Sequence, residues 1–172
     1  MIHNLTGENK MSKLTATFPA GEYAIIDPCY VMHESWSELC NDFFFANRTD
    51  HGCNQGEFTL KDGRRIFVGN TAYGDGLYAL LDNNRNVAAT IGVDAGCVGL
   101  IRLSDIDLTN QQNFIDPGFV VTFDSEFQVS VESGYFTFGN YTLNTRELGE
   151  EEEFDDHDYY ADDYESNFET DF

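Results

Sequence analysis

The feature that most constrains this chain is a period of two. Through most of its 172 residues, apolar and polar side chains alternate in short runs separated by turn residues. That spacing suits strands with one buried face and excludes a helical bundle. "EYAIID" (Glu22–Asp27) follows the turn residues "PAG". "EFTL" and "RIFVGN" flank "KDGR", which predicts a hairpin centred on Asp62-Gly63. "GLYALLD" and "VAATIGVD" flank the polar turn "NNRN", and "CVGLIRL" follows "DAG". "GFVVTF", "FQVSVE", "YFTFG" and "YTLNT" complete the series. About nine short strands at close spacing predict an all-β fold, a sandwich or partly open barrel.

One short helix is expected at "SWSELCNDFF". Ser35 with Glu38 three residues on is a capping-box pattern, and Trp36, Leu39 and Phe43 recur at helical spacing. A further turn is expected at "SDIDLTN". The run Phe43-Phe44-Phe45 cannot all point inward from one element, so either one ring is exposed or the run bends at the helix end.

Charge divides the chain in two. The net charge is −22, from 31 acidic and 9 basic residues. Residues 147–172 hold 13 of the acids and no Lys or Arg, which leaves 18 acids against 9 cations, or −9, for residues 1–146. The division predicts an all-β domain over 1–146 and an acidic C-terminal arm over 147–172. A surface this negative repels nucleic acid and anionic membranes and seeks basic partners. No apolar run reaches the roughly 18 residues of a membrane helix, and the N-terminal stretch lacks an apolar signal-peptide region. Cys29, Cys40, Cys53 and Cys97 are therefore expected as free thiols in a reducing cytoplasm.

The arm interleaves rings with its acids, which a purely solvating tail does not. Its carboxylates are Glu150, Glu151, Glu152, Glu153, Asp155, Asp156, Asp158, Asp162, Asp163 and Asp171, with Glu165 and Glu169 between them. Its rings are Phe154, Tyr159, Tyr160, Tyr164, Phe168 and Phe172, residue types that anchor interfaces. From Glu150 to Asp171 there are 12 acids in 22 residues. A helical arm at about 1.5 Å per residue would carry one charge per roughly 2.8 Å, and an extended one at about 3.3 Å per residue one per roughly 6 Å. A DNA strand carries one per about 3.4 Å. Rings between carboxylates can thus replace bases between phosphates, and these residues, Glu165 and Glu169 apart, are the candidate partner-binding set.

Three further stretches place an Asp beside Gly or Pro near a strand end: "IDPCYV", "TAYGDGLY" and "VDAGCVG". Asp27, Asp75 and Asp94 offer oxygen ligands for Ca²⁺ or Mg²⁺, or an acid and a base. The plainer reading is that tight turns need Asp and Gly, whose side chains and backbones fit them. Cys40, His51 and Cys53, with His33 or Cys29, lack the paired spacing of structural zinc sites. Cys97 has no basic residue close in sequence to activate it, so it reads as a small buried hydrophobe. His3 and His157 lie outside the strand pattern. No Ser-His-Asp arrangement, phosphate-cradling Gly loop or dinucleotide fingerprint is present.

The Gly21-Glu22-Tyr23 strand running into Asp27-Pro28-Cys29-Tyr30, followed by Tyr73-Gly74-Asp75-Gly76 and Val93-Asp94-Ala95-Gly96, resembles small uncharacterised β-rich proteins of phages and bacteria. The likeness spans about residues 21 to 102 and implies a viral or mobile-element origin. The last residues, "ETDF", resemble the tip of single-stranded DNA-binding proteins, which implies docking roles for Asp171 and Phe172.

The leading expectation is a non-enzymatic, phage-type inhibitor or modulator acting in the cytoplasm of an infected bacterial host. It needs no cofactor, and its arm imitates DNA charge to bind a host nucleic-acid-binding protein or defence complex. The alternatives are a single-stranded DNA-binding protein with a recruiting tail, a Ca²⁺- or Mg²⁺-dependent β-domain, and a virion component tethered by its arm.

Overall fold

The computed structural model describes residues 12–46, 53–106 and 115–147. Among these the chain forms β1 (Leu14–Phe18), β2 (Gly21–Ile26), a short helix α1 (Glu34–Glu38), β3 (Gly56–Thr59), β4 (Arg65–Asn70), β5 (Gly76–Leu81) and β6 (Val87–Val93). It continues with β7 (Cys97–Arg102), β8 (Phe119–Phe123), β9 (Phe127–Glu132), β10 (Tyr135–Phe138) and β11 (Tyr141–Asn144). The fold is all-β, as the alternation predicts, with two antiparallel sheets packed as a sandwich and not closed into a barrel. One sheet runs β1-β9-β10-β11-β5-β6 and the other β3-β4-β7-β2-β8. The strands number eleven instead of about nine; β1, "LTATF", alternates as well but lies outside the series read from the sequence.

The two sheets read differently in sequence because they are covered differently. The six-stranded sheet buries one face, so "FQVSVE" and "YFTF" alternate, with Phe127, Val129, Val131, Phe136 and Phe138 turned inward. The centre of the five-stranded sheet is buried on both faces. In β2, Tyr23 and Ile25 enter the core between the sheets, while Ala24 and Ile26 enter a second core with Val31, Met32, Leu39 and Phe44. Strands covered on both faces lose the alternation and become continuous apolar runs. Each fully buried Phe or Ile contributes roughly 1.5–3 kcal/mol relative to exposure.

The cover over that second face is the segment from Pro28 to Phe44. It begins with a 3₁₀ turn at Pro28–Tyr30, continues as α1 and widens into a π turn at Leu39–Phe44. The capping box is not formed. Helix α1 starts at Glu34, so Ser35 lies inside the first turn and makes no cap hydrogen bond. Its hydroxyl accepts from the Arg64 guanidinium instead, and Glu38 accepts the Lys61 backbone N–H at 2.6 Å. Both residues tie the helix to the β3–β4 hairpin. The π turn also sorts the three phenylalanines: Phe44 is buried, Phe43 stacks on Phe58 at 4.9 Å, and Phe45 is 47% exposed.

The Asp62-Gly63 hairpin forms as predicted, with the Leu60 N–H donating to the Arg64 carbonyl at 2.8 Å and Gly63 at φ 92°. The Asn83–Asn86 turn is organised by the Asp82 carboxylate, which accepts the N–H groups of Asn84 and Asn86. A 3₁₀ turn at Leu103–Asp105 covers the start of the turn expected at "SDIDLTN", whose residues 107–110 lie outside the described residues. No helix among the described residues is long and apolar enough to cross a membrane.

Candidate functional site

The three Asp-bearing stretches meet at one end of the sandwich. Strand β2 delivers Asp27, the β4–β5 connection delivers residues 71–75, and the β6–β7 turn delivers residues 94–96. Asp27 is fully buried. One carboxylate oxygen accepts the Asp94 and Ala95 N–H groups at 2.9 and 2.7 Å; the other accepts the Cys29 N–H at 3.0 Å and the Cys97 thiol at 3.7 Å. Asp94, on the surface, accepts the Tyr30 hydroxyl. The Thr71 hydroxyl donates to the Gly74 carbonyl at 2.6 Å and lies 3.2 Å from that of Gly96; the Tyr78 hydroxyl also donates to Gly74, at 2.9 Å. Gly96, at φ 66°, turns the β6–β7 connection back toward Thr71.

This geometry gives the Asp27 oxygens partners within the fold. A carboxylate whose oxygens already accept three N–H groups and a thiol is an internal turn cap. Asp75 is exposed and contributes charge rather than a contact. Among the described residues no three His, Cys, Asp or Glu side chains are grouped as a metal site. The arrangement also holds its acidic hydrogens in place. Burial, then the charge and hydrogen bond of Asp27, with Asp94 and Asp75 adding to them, push the Cys29 thiol up to about 12. The hydrogen bond to Asp94, then burial, push the Tyr30 hydroxyl up. Burial first and Asp27 second raise the Cys97 thiol. Neither thiol is an activated nucleophile, and Cys97 is the buried residue its sequence context predicts.

Of the residues weighed for zinc, Cys40 and Cys53 both pack half-buried against the second core, and burial with the neighbouring Cys53 raises the Cys40 thiol. His51 lies outside the described residues, as do His3 and His157. The candidate partner-binding residues of the arm, Glu150 to Phe172, also lie outside them.

The opposite end of β2 holds a constellation that the sequence does not reveal. Arg64, Arg65 and Arg102 line an open cleft of about 360 Å³ with Phe18, Tyr23 and Ser104. Arg65 and Arg102 are 37 positions apart in sequence and become cross-strand neighbours one step beyond the Ile66–Ile101 pair of β4 and β7. A register is needed to find them. Comparison of the chain with protein-family models, curated proteins and solved structures gives no match.

Proposed function

We propose that this protein is a non-catalytic binding protein whose acidic, ring-bearing C-terminal arm engages the basic, nucleic-acid-binding surface of a partner. A phage-type inhibitor or modulator of a host nuclease, polymerase or defence complex is the role that suits this chemistry. The observation that carries the reading is the charge partition: 13 acids and no Lys or Arg in residues 147–172, interleaved with six Phe or Tyr rings. So dense a run of carboxylates steers association with a basic groove and makes it fast and salt-sensitive. Rings supply contact area where the partner ordinarily stacks bases.

The body favours binding over catalysis. Its most conspicuous polar cluster spends the Asp27 oxygens on backbone N–H groups and keeps its thiols protonated. The test is an affinity capture from bacterial lysate at low and high salt, with the full chain and with a chain ending at residue 148. Capture of a nucleic-acid-binding protein that depends on the arm and weakens with salt supports the proposal. Equal capture by the truncated chain contradicts it.

One observation speaks for a second reading, single-stranded DNA binding by the body: three arginines share one cleft. Such binding also needs exposed rings for base stacking. The rings beneath these arginines, Phe18 and Tyr23, are 2% and 1% exposed, so this reading stands second. A gel shift of labelled oligonucleotide with the truncated chain separates the two.

A further inference from the structure

We infer that the cleft formed by Arg64, Arg65 and Arg102 is a binding site for a carboxylate group. In a chain of net charge −22, three of the nine Lys and Arg residues line this one cleft. Arg65 and Arg102 stand on facing positions of β4 and β7, one step beyond the Ile66–Ile101 pair, and therefore on the same face. Like charges directly opposite one another across a sheet are unfavourable. An anion seated between them removes that penalty.

The guanidinium groups are held in place. Arg65 donates to the Thr17 carbonyl at 3.0 Å and lies over the Phe18 ring at 4.6 Å. Arg102 donates to the Ala20 carbonyl at 3.0 Å and lies over the Tyr23 ring at 5.7 Å. Arg64 donates to the Asp105 carbonyl at 3.3 Å. A Cβ on Gly21 would meet the Arg102 Nη2 at 2.8 Å, so the glycine makes room for that head group. Arg64 and Arg65 already pair with Asp62 and Glu57, at 2.8 and 2.6 Å. Among the described residues no carboxylate pairs with Arg102, and its guanidinium hydrogen bond there goes to the Ala20 carbonyl. A planar guanidinium with unspent donors matches a carboxylate two bonds at a time.

Charge and shape narrow the ligand. Asp62 pairs with Arg64 and Glu57 with Arg65, which leaves Arg102 as the one arginine of the cleft without a carboxylate partner among the described residues. A single carboxylate matches that one guanidinium, whereas a doubly charged phosphate leaves excess negative charge in an acidic chain. The buried rings offer no stacking surface to a nucleobase. The volume, about 360 Å³, lies at the small end of ligand sites. The carboxylate comes from a small organic acid or from an acidic side chain of a protein segment.

The test is NMR titration of the full ¹⁵N-labelled chain, following the arginine Nε–Hε signals. The probes are glutarate, hexaglutamate and inorganic phosphate at matched ionic strength. Saturable shifts at Arg102 and Arg65 with glutarate or hexaglutamate, stronger than with phosphate, are expected. The tighter of the two carboxylate probes then identifies the source, hexaglutamate pointing to a protein segment and glutarate to a small acid. Arg102→Gln should weaken binding at least about tenfold, or 1.4 kcal/mol. Ser104→Asp places a negative charge at an exposed lining position without touching the anchored guanidinium groups, and should weaken it similarly even if Arg102→Gln disturbs folding. Shifts that do not saturate, that persist in both variants, or that favour phosphate overturn the assignment.

Discussion

Strand β2 begins among arginines and ends among carboxylates, and its two ends teach opposite lessons about polar clusters. At the Asp27 end, acids, thiols and hydroxyls crowd together in a pattern that reads as chemistry in the sequence. In the fold their donors and acceptors are matched internally: Asp27 accepts the N–H groups of Cys29, Asp94 and Ala95, and Tyr30 is bound to Asp94. At the Gly21 end, nothing in the sequence is conspicuous. Yet Arg102 is anchored by Ala20 and keeps donors that no carboxylate among the described residues takes up. A satisfied cluster is architecture, and a preorganised group with unspent capacity is a site.

Stability measurements set the two ends against each other. The largest loss is expected for Asp27→Ala, which strands three backbone N–H groups. Denaturant unfolding should show a cost of about 2–4 kcal/mol. Arg102→Gln, at the other end, should cost no more than about 1 kcal/mol in the same assay, because its contacts are at the surface. The reverse order would break the comparison. Tyr30→Phe should fall between no effect and about 1 kcal/mol, since it removes one hydrogen bond to an exposed carboxylate.

The pH dependence sharpens the same contrast. The Cys29 thiol is raised to about 12 in the folded chain, above its ordinary value of about 8.5. The unfolded chain therefore loses this proton first as pH rises. The corresponding stabilisation is complete below about pH 8.5 and is lost as pH climbs through the folded value. Iodoacetamide should label Cys29 in the native protein far more slowly at pH 9 than in the urea-unfolded protein. Equal rates would contradict the geometry around Asp27. The smallest expected effect is that of Ca²⁺, Mg²⁺ or EDTA on the melting temperature. A cation bound at 100 times its Kd would add about 2.7 kcal/mol, and no shift is expected with the Asp27 oxygens already engaged.

The fold was legible in the sequence where structure is local. Most of the strands announce themselves by alternation or by apolar runs between turn residues, and the Asp62-Gly63 hairpin by its turn pair. Strand β1 alternates too, Leu-Thr-Ala-Thr-Phe, yet stands outside the series read from the sequence, and its partner β9 lies far along the chain, Leu14 facing Val131. The capping box at Ser35 and Glu38 misleads for a related reason. The pattern is local, but Arg64 and the Lys61 backbone claim those side chains from a hairpin that local reasoning cannot place. The same holds for the sites. The three Asp-bearing stretches stand out one by one, yet only the assembled fold shows that Asp27 caps the turn at Asp94 and Ala95. Arg65 and Arg102 are unremarkable until the β4–β7 register sets them side by side. The arm's candidate role rests on charge and composition, which need no fold to be read.

The most direct test of the proposed function keeps the chain at full length. The arm acids Glu150 to Asp171 are replaced by their amides, and capture of a partner from lysate is compared with that by the unaltered chain, with and without excess duplex DNA. The account predicts that amide replacement abolishes capture and that duplex DNA displaces the partner from the unaltered chain. Capture that withstands both would contradict it.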